Sequence, residues 1–250
     1  MEATILSNWL RLDKLLGHMG VGTRSEIKAL VKRGEVSVDG VLVKDNGLKV
    51  NVETAVVMVA GERVVYREFV YLMMNKPAGV ISATEDRRLR TVLDLLPAEY
   101  AHFELFPVGR LDRDTEGLLL LTNDGQLAHD LLSPRKHVAK TYHALVQGIV
   151  DDADVAAFSE GVTLDDGYVT LPAQLVIDRA DVASEQSSIR LTITEGKFHQ
   201  VKRMFLARGK QVLYLKRLAM GALVLDETLA LGAVRELTEE EWKGLRNRHE

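Results

Sequence analysis

Short segments with the character of β-strands recur along most of the chain, and helical segments interrupt them at irregular intervals. Runs of apolar and β-branched residues predict strands at residues 69–74, 118–121, 142–146, 169–177, 189–194 and 212–218. Helices are predicted at residues 199–208, with Gly209 as the stop, and from Thr238, whose capping partner is Glu241. A doubly wound sheet needs a regular strand–helix repeat, which this spacing lacks. The larger part of the chain is therefore predicted to be a mixed, mainly antiparallel α+β domain.

The first sixty residues follow a different pattern from the rest. Apolar residues at three- and four-residue spacing between positions 12 and 19 predict a short helix. Thr23 with Glu26 forms the capping-box pattern that begins a second helix. Alternating valines on either side of Asp39-Gly40 predict a hairpin with a type I′ turn. We therefore expect two domains, at residues 9–62 and 69–250, with a polar boundary between them.

Basic residues are concentrated in the front segment, although the chain as a whole is acidic. The net charge is -4, but residues 11–49 contain eight bases and five acids, a balance of +3 that leaves -7 for the remainder. Arg24, Lys28 and Lys32 are four residues apart and share one face of the predicted second helix, where they can follow a phosphate backbone. The alternative is an ordinary solvated helix face. Arg11 is a further candidate for nucleic-acid binding.

The composition excludes several classes of site. Cysteine is absent, so disulfides, thiolate nucleophiles and metal sites with Cys ligands are excluded. The chain contains neither a glycine-rich dinucleotide fingerprint nor a P-loop, and we expect no cofactor and no metal. No stretch approaches the roughly 18 apolar residues of a membrane span, and residues 1–10 lack a signal-peptide pattern. We expect a cytoplasmic, monomeric protein without a membrane partner.

Residues 109–117 form a charged turn, GRLDRDTEG, that has three alternative interpretations. Asp112, Asp114 and Glu116 alternate as in a calcium-binding loop, but Asn123 stands where that loop needs a bidentate Glu. A second interpretation is a solvated turn before a buried strand. In the third, Asp112 is a nucleophile that attacks an electrophilic sugar carbon, and cationic neighbours keep its carboxylate ionised. The carboxylate by itself does not decide between the last two.

Three blocks, in this order along the chain, carry a resemblance to a known family. They are PVGRLD (107–112) with GLLLLTNDG (117–125), KTY (140–142) and EGKFHQVKRM (195–204). Together they resemble the pseudouridine synthase signature. The front module of two helices and a hairpin resembles the small RNA-binding domain named after ribosomal protein S four, the alpha-L fold. Nearly the whole chain is thus similar to bacterial ribosomal RNA pseudouridine synthases with this N-terminal domain, although Phe198 stands where many relatives have Tyr.

The resemblance implies an RNA-modifying isomerase and assigns roles to individual residues. Asp112 is then the catalytic aspartate, and Lys202 pairs with its carboxylate. Tyr142 stacks on the target uracil, and Arg110 is a candidate for filling the space that the flipped base leaves. Without the resemblance, core packing explains Tyr142 and a solvated helix position explains Lys202. The resemblance leaves the other acids of the charged turn, such as Asp114, without a role.

Three further segments indicate the branch of the family. VGTR (21–24), LMMNKPAG (72–79) with SATED (82–86), and GVTLDDG (161–167) resemble the members that modify a single uridine of small-subunit (16S) ribosomal RNA. We therefore expect the partner to be that RNA or a pre-ribosomal small-subunit particle. The alternatives are the same reaction on large-subunit (23S) ribosomal RNA, a non-catalytic RNA-binding assembly factor, and a metal-dependent nuclease or phosphatase.

Overall fold

The chain divides into two compact units in the computed structural model, which describes residues 8–246. Among the described residues, the small unit comprises residues 8–69 together with Pro97–Glu104. The large unit comprises Val70–Leu96 and residues 105–246. No helix among the described residues is long and apolar enough to cross a membrane.

Six α-helices and fifteen β-strands are formed by the described residues. The helices are α1 (Leu12–His18), α2 (Arg24–Lys32), α3 (Gly125–Leu132), α4 (Asp152–Glu160), α5 (Gln200–Ala207) and α6 (Glu239–Arg246). The strands are β1 (Trp9–Arg11), β2 (Val36–Val38), β3 (Val41–Leu42), β4 (Lys49–Asn51), β5 (Val57–Val59), β6 (Glu62–Val64), β7 (Tyr71–Lys76), β8 (Phe106–Pro107), β9 (Glu116–Thr122), β10 (Lys140–Gln147), β11 (Gln174–Asp181), β12 (Gln186–Ile193), β13 (Gln211–Met220), β14 (Leu223–Val224) and β15 (Val234–Glu236). Short 3₁₀ helices lie at Leu93–Leu95, Ala98–Phe103 and Pro134–Lys136.

The small unit has the two helices and the hairpin that its sequence predicts. Thr23 caps α2 in a reciprocal capping box with Glu26. Asp39 and Gly40 both have positive φ, as a type I′ turn requires, and they join β2 to β3. The sheet order is β3-β2-β5-β6, and β1 pairs separately with β4. Apolar residues of both helices and of the strands form one core, which includes Leu16, Ile27 and Val36.

The large unit is built on a nine-stranded sheet with the order β11-β12-β10-β13-β9-β7-β15, to which β14 and β8 attach at β13 and β9. Among the strand pairs that the structure describes in this sheet, β9 with β13 is parallel and the others are antiparallel. The prediction of a mixed, mainly antiparallel α+β fold is therefore confirmed.

The parallel pairing of β9 with β13 depends on Gly117. A Cβ atom at this position would lie 2.3 Å from the backbone oxygen of Arg217, and φ is +99°. Glycine is therefore required here for the close approach of the two strands. Gly117 is also in register with Lys76 on β7, so the start of β9 is fixed between strands β13 and β7.

Two local predictions for the large unit were wrong. The strand predicted at 169–177 begins only at Gln174, because Pro172 has no backbone N–H to donate to a sheet. The strand predicted at 69–74 instead runs from Tyr71 to Lys76. Two helices, α3 and α4, were not predicted. Asp124 accepts a hydrogen bond from the Leu127 N–H and is the N-cap of α3.

Candidate active site

Buried Lys76 holds the backbone of the charged turn that contains Asp112. Its side chain is fully buried, and Nζ donates to the backbone oxygens of Pro77 at 3.1 Å, Asp112 at 3.0 Å and Thr115 at 2.8 Å. Burial lowers the pKa of Lys76 to about 8, although the nearby carboxylates of Asp114, Asp112 and Glu116 act in the opposite direction. The three carbonyl contacts use all three donors of the ammonium group.

Further bonds fix the same turn to the segment after β7. The Ser82 hydroxyl donates to the Leu111 carbonyl at 3.0 Å, and the Leu111 N–H lies 3.0 Å from the same Ser82 oxygen. The Gly79 N–H donates to the Arg113 carbonyl at 2.7 Å. The backbone on both sides of Asp112 is therefore constrained, and this reduces the freedom of its side chain.

The Asp112 carboxylate lies at the start of α5. Lys202 Nζ is 3.1 Å from Asp112 Oδ2, and His199 Nε2 is 3.5 Å from Oδ1. His199 is the N-cap residue of α5, and the positive end of the helix dipole favours a negative charge there. The Asp112 side chain is 27% exposed, so an external reactant can reach it. The structure thus brings the predicted residues Asp112 and Lys202 together and adds His199, which the sequence did not indicate.

Asp114 shares the Lys202 ammonium with Asp112. Lys202 Nζ donates to Asp114 Oδ1 at 2.6 Å, a shorter distance than the one to Asp112. The hydrogen bond from Lys202 lowers the pKa of Asp114. Burial lowers the pKa of Lys202, but its bonds to the two carboxylates outweigh burial, and the pKa is raised. Lys202 therefore stays charged, and Asp114, to which the sequence pattern gave no role, is its second partner.

A buried carboxylate, Glu195, orders the turn that leads into α5. It accepts hydrogen bonds from the Tyr168 hydroxyl at 2.6 Å, the Leu171 N–H at 2.9 Å and Gln200 Nε2 at 2.8 Å. The Lys197 ammonium lies over the Tyr168 ring, 4.3 Å from its centroid. These contacts place the first turn of α5 and, with it, Lys202. Glu195 is the first residue of the third block, but the sequence did not indicate this network.

Tyr142 lies on β10 and is 8% exposed. It is in register with Arg217 on β13, and Arg217 is in register with Gly117 on β9. Residues in register on neighbouring strands project from the same face of a sheet, so Tyr142 shares the face that carries buried Lys76. Within residues 8–246, no hydrogen bond joins the Tyr142 hydroxyl to Asp112 or Lys202. Its proposed contact with a uracil ring stays a prediction.

The residues predicted to bind RNA differ in their availability. Arg24, Lys28 and Lys32 are exposed on α2, and no ion pair engages any of them within the described part of the chain. Arg110 is exposed as well. Arg11 instead donates to both carboxylate oxygens of Asp13, at 3.0 Å and 2.6 Å. An arginine held in this way offers fewer donors to a phosphate, so the case for Arg11 is weaker than that for the α2 residues.

The calcium-loop interpretation of the Asp112 turn does not fit the structure. Residues 118–121, which would follow the glycine of such a loop, are fully buried in β9 and bonded to β7. The Glu116 carboxylate accepts a hydrogen bond from the Tyr214 hydroxyl at 2.8 Å. Among the described residues, no three His, Asp or Glu side chains are grouped to hold a metal ion.

Both parts of the chain match models of known families. Residues 70–207 match the model described as RNA pseudouridylate synthase, and residues 10–56 match the S4 domain. The first match contains Asp112, Tyr142 and Lys202. The second contains the basic residues of α2.

Several curated relatives match over almost their whole length. An RNA pseudouridine synthase of Bacillus subtilis, named as uncharacterized, is 56% identical over 93% of this chain and 96% of its own. Ribosomal small subunit pseudouridine synthase A of Vibrio cholerae is 43% identical over 94% of this chain and 100% of its own. Ribosomal large subunit pseudouridine synthase B of Bacillus subtilis is 41% identical over 94% and 95%. A crystal structure of a pseudouridylate synthase is similar with a TM-score of 0.65 and 35% identity, over 94% of this chain and 99% of that one.

Proposed function

The chain belongs to the RNA pseudouridylate synthase family, and we propose that it converts one uridine of small-subunit ribosomal RNA to pseudouridine with Asp112 as its catalytic carboxylate. The observation that carries this proposal is the Asp112 carboxylate beside Lys202, at 3.1 Å, on a turn that buried Lys76 fixes. A partly exposed carboxylate with a cationic partner and a constrained backbone is a suitable nucleophile for a sugar or base.

The reaction is an isomerisation in which atoms balance within the nucleotide. The bond from the ribose carbon to N1 of uracil breaks, the base turns, and the ribose carbon bonds to C5. The proton on C5 leaves, and N1 gains one. Asp112 acts on the sugar, on the ring, or by promoting proton loss from the sugar, and each route needs the carboxylate close to the flipped nucleotide. Lys202 holds that carboxylate in place.

Tyr142 and Arg110 complete the proposed site. The aromatic ring of Tyr142 offers the extruded uracil a stacking surface in place of its lost neighbours. We assign to Arg110, which is exposed two residues before Asp112, the role of filling the space that the base vacates. The basic face of α2 follows the RNA backbone. We further propose that the substrate is the RNA itself or a pre-ribosomal small-subunit particle, and that the protein acts as a monomer.

Small-subunit RNA is favoured by the segments at 21–24, 72–79 with 82–86, and 161–167, which resemble the members acting on that RNA. Overall identity does not choose between the branches, because it is 43% to a small-subunit enzyme and 41% to a large-subunit enzyme. A non-catalytic assembly factor would have no need of the Asp112–Lys202 pair or of the bonds that fix its turn.

The proposal is tested by mapping pseudouridine in ribosomal RNA from cells with and without this protein. We expect one 16S position to lose its pseudouridine in the deletion strain and to regain it with the wild-type gene. A lost position in 23S RNA would move the protein to the sister branch. If neither RNA loses a pseudouridine, the assignment is refuted.

A chelator distinguishes this function from that of a metal-dependent nuclease. The purified protein should form pseudouridine in the presence of a metal chelator, whereas a metal-dependent nuclease would stop cleaving RNA.

Charge reversal on α2 should weaken RNA binding without stopping the chemistry. With Arg24, Lys28 and Lys32 all changed to Glu, the slope of log affinity against log salt should fall by about 2 to 3, because each phosphate contact contributes about 0.7 to 0.9. Turnover at saturating RNA should be retained. Filter binding between about 50 and about 200 mM salt measures the slope. Arg179→Glu, at an exposed base of the large unit, is the control and should leave the slope unchanged. An unchanged slope in the triple variant would place the RNA surface elsewhere.

A further inference from the structure

We propose that Phe198 and His199 form a stacking platform for a nucleobase of the RNA next to the target uridine. The proposal rests on the function proposed above and names a contact that the catalytic residues do not make. The two rings are stacked, with centroids 3.8 Å apart and an angle of 17° between their planes. The Phe198 side chain is 74% exposed, so the outer face of this pair is open to a third ring.

The position of the pair relative to Asp112 identifies the region of RNA that it would meet. His199 Nε2 is 3.5 Å from Asp112 Oδ1, so one ring of the pair touches the catalytic carboxylate. The other ring, Phe198, extends from it into solvent. When a uridine is extruded toward Asp112, the nucleotides on either side of it stay bonded to it, each through one phosphodiester link. One of their bases is therefore within reach of the Phe198 ring.

The backbone holds the pair in a conformation that an unconstrained chain would avoid. His199 has φ 48° and ψ 32°, in the left-handed region that side chains other than glycine rarely adopt. Strained positions of this kind cluster at functional sites, where the surrounding structure maintains them. Here Arg203 Nη1 donates to the Phe198 carbonyl at 3.4 Å, and Arg203 Nη2 lies 2.7 Å from Asp166 Oδ2. These two contacts of Arg203 therefore hold the turn that carries the exposed Phe198 ring.

A nucleobase fits this surface better than a phosphate. Two nearby cations are already paired with carboxylates, since Lys202 binds Asp112 and Asp114, and Arg203 binds Asp165 and Asp166. The third, Lys197, lies over the Tyr168 ring, 4.3 Å from its centroid. The Phe198 side chain has no hydrogen-bonding group, so it recognises a partner only through its ring face. Aromatic side chains bind bases of single-stranded RNA in this way, with little preference for sequence.

The platform predicts that Phe198→Ala acts on KM. For ribosomal RNA from cells that lack the protein, KM should rise between about 5- and 150-fold, the range of one lost base stack, while kcat changes by less than about 3-fold. Phe198→Trp should restore the wild-type KM. Leu206→Ala removes another apolar side chain, 64% exposed on α5, and should change neither constant. Tritium release from C5-labelled uridine provides both constants.

A second measurement needs no turnover. In an Asp112→Asn background, Phe198→Trp places a fluorescent ring on the platform, and its emission should be quenched when the same RNA is added. The spectrum of Asp112→Asn alone supplies the correction for Trp9 and Trp242, the two tryptophans of the sequence. Quenching would support the platform even if the wild-type protein formed no pseudouridine, a result that would refute only the proposed function.

Three outcomes would overturn the platform. The first is a wild-type KM in Phe198→Ala together with unquenched emission in the tryptophan variant. The second is a fall in kcat at constant KM, because Phe198 would then act through His199 on Asp112 and not on the RNA. The third is a change of oligomeric state between wild type and Phe198→Ala in gel filtration, which would assign the exposed ring to a second copy of the chain.

Discussion

Asp112→Asn should lower the rate of pseudouridine formation by about 10⁴-fold, the size of loss expected when an enzyme loses a group that acts covalently or directly on the reacting atoms. Asn has nearly the same shape but no negative charge. RNA affinity and the free energy of unfolding should be close to those of the wild type, because the side chain is partly exposed and bonds mainly to Lys202. Tritium release from C5-labelled uridine in ribosomal RNA measures the rate.

Asp114→Asn is the matched control, because both carboxylates bind the same Lys202 ammonium. Asp114 makes the shorter of the two bonds, at 2.6 Å. If Asp112 acted only by neutralising Lys202, the Asp114 variant would lose at least as much activity. We expect Asp114→Asn to retain activity within about 10-fold, since it loses one partly exposed ion pair worth about 1 kcal/mol or less. Equal losses in the two variants, or wild-type rates in Asp112→Asn, would falsify the catalytic role.

Lys76→Met should have the largest effect after Asp112→Asn. It should lower both the free energy of unfolding and the turnover rate. Met fills a similar volume but leaves the carbonyl oxygens of Pro77, Asp112 and Thr115 without their donor in a buried place. We expect the free energy of unfolding to fall by about 3 kcal/mol, as when one partner of a buried charged contact is removed. Turnover of the folded protein should fall by about 10²-fold, because a shift of the Asp112 turn by about 1 Å is sufficient for that loss.

Urea denaturation and the tritium assay measure these two effects of Lys76→Met, with the assay run where circular dichroism shows the variant to be folded. Lys243→Met is the control, because its ammonium lies in an exposed ion pair with Glu239 on α6. It should cost less than about 1 kcal/mol and leave turnover unchanged. Wild-type turnover in folded Lys76→Met would show that the three carbonyl contacts do not position Asp112.

The pKa of Lys76 also predicts how stability depends on pH. The pKa is about 8 in the folded protein and near 10.5 in the unfolded chain, so between these values the unfolded state binds more protons. The free energy of unfolding of the wild type, relative to Lys76→Met, should therefore rise by about 1.4 kcal/mol per pH unit above pH 8. Below pH 8 the difference should be constant, because Lys76 is protonated in both states. Denaturation curves at pH 7, 8, 9 and 9.5 measure this; a difference that falls above pH 8 would contradict it.

The parts of the fold that were predicted correctly depend on local interactions. The capping box of Thr23 and Glu26 and the Asp39-Gly40 turn each involve residues within a few positions of one another. The strands at the centre of the large unit are continuous apolar runs, which fix their type but not their order. The wrong start of the strand predicted at 169–177 also has a local cause. The apolar residues of this segment favour a strand, but Pro172 lacks the backbone N–H that a strand residue donates.

The sequence by itself determined the class of fold and the family and identified Asp112 as the candidate acid, because each capping, turn or periodicity signal and each of the three blocks lies within a short stretch. Tertiary structure alone decided the surroundings of that acid. Lys202 and Asp114 are 88 positions apart, and Lys76 is 36 positions from Asp112, yet both pairs are in contact. No short pattern encodes such distances. Burial of Lys76, the sharing of Lys202 and the network of Glu195 appear only when the sheet brings these segments together.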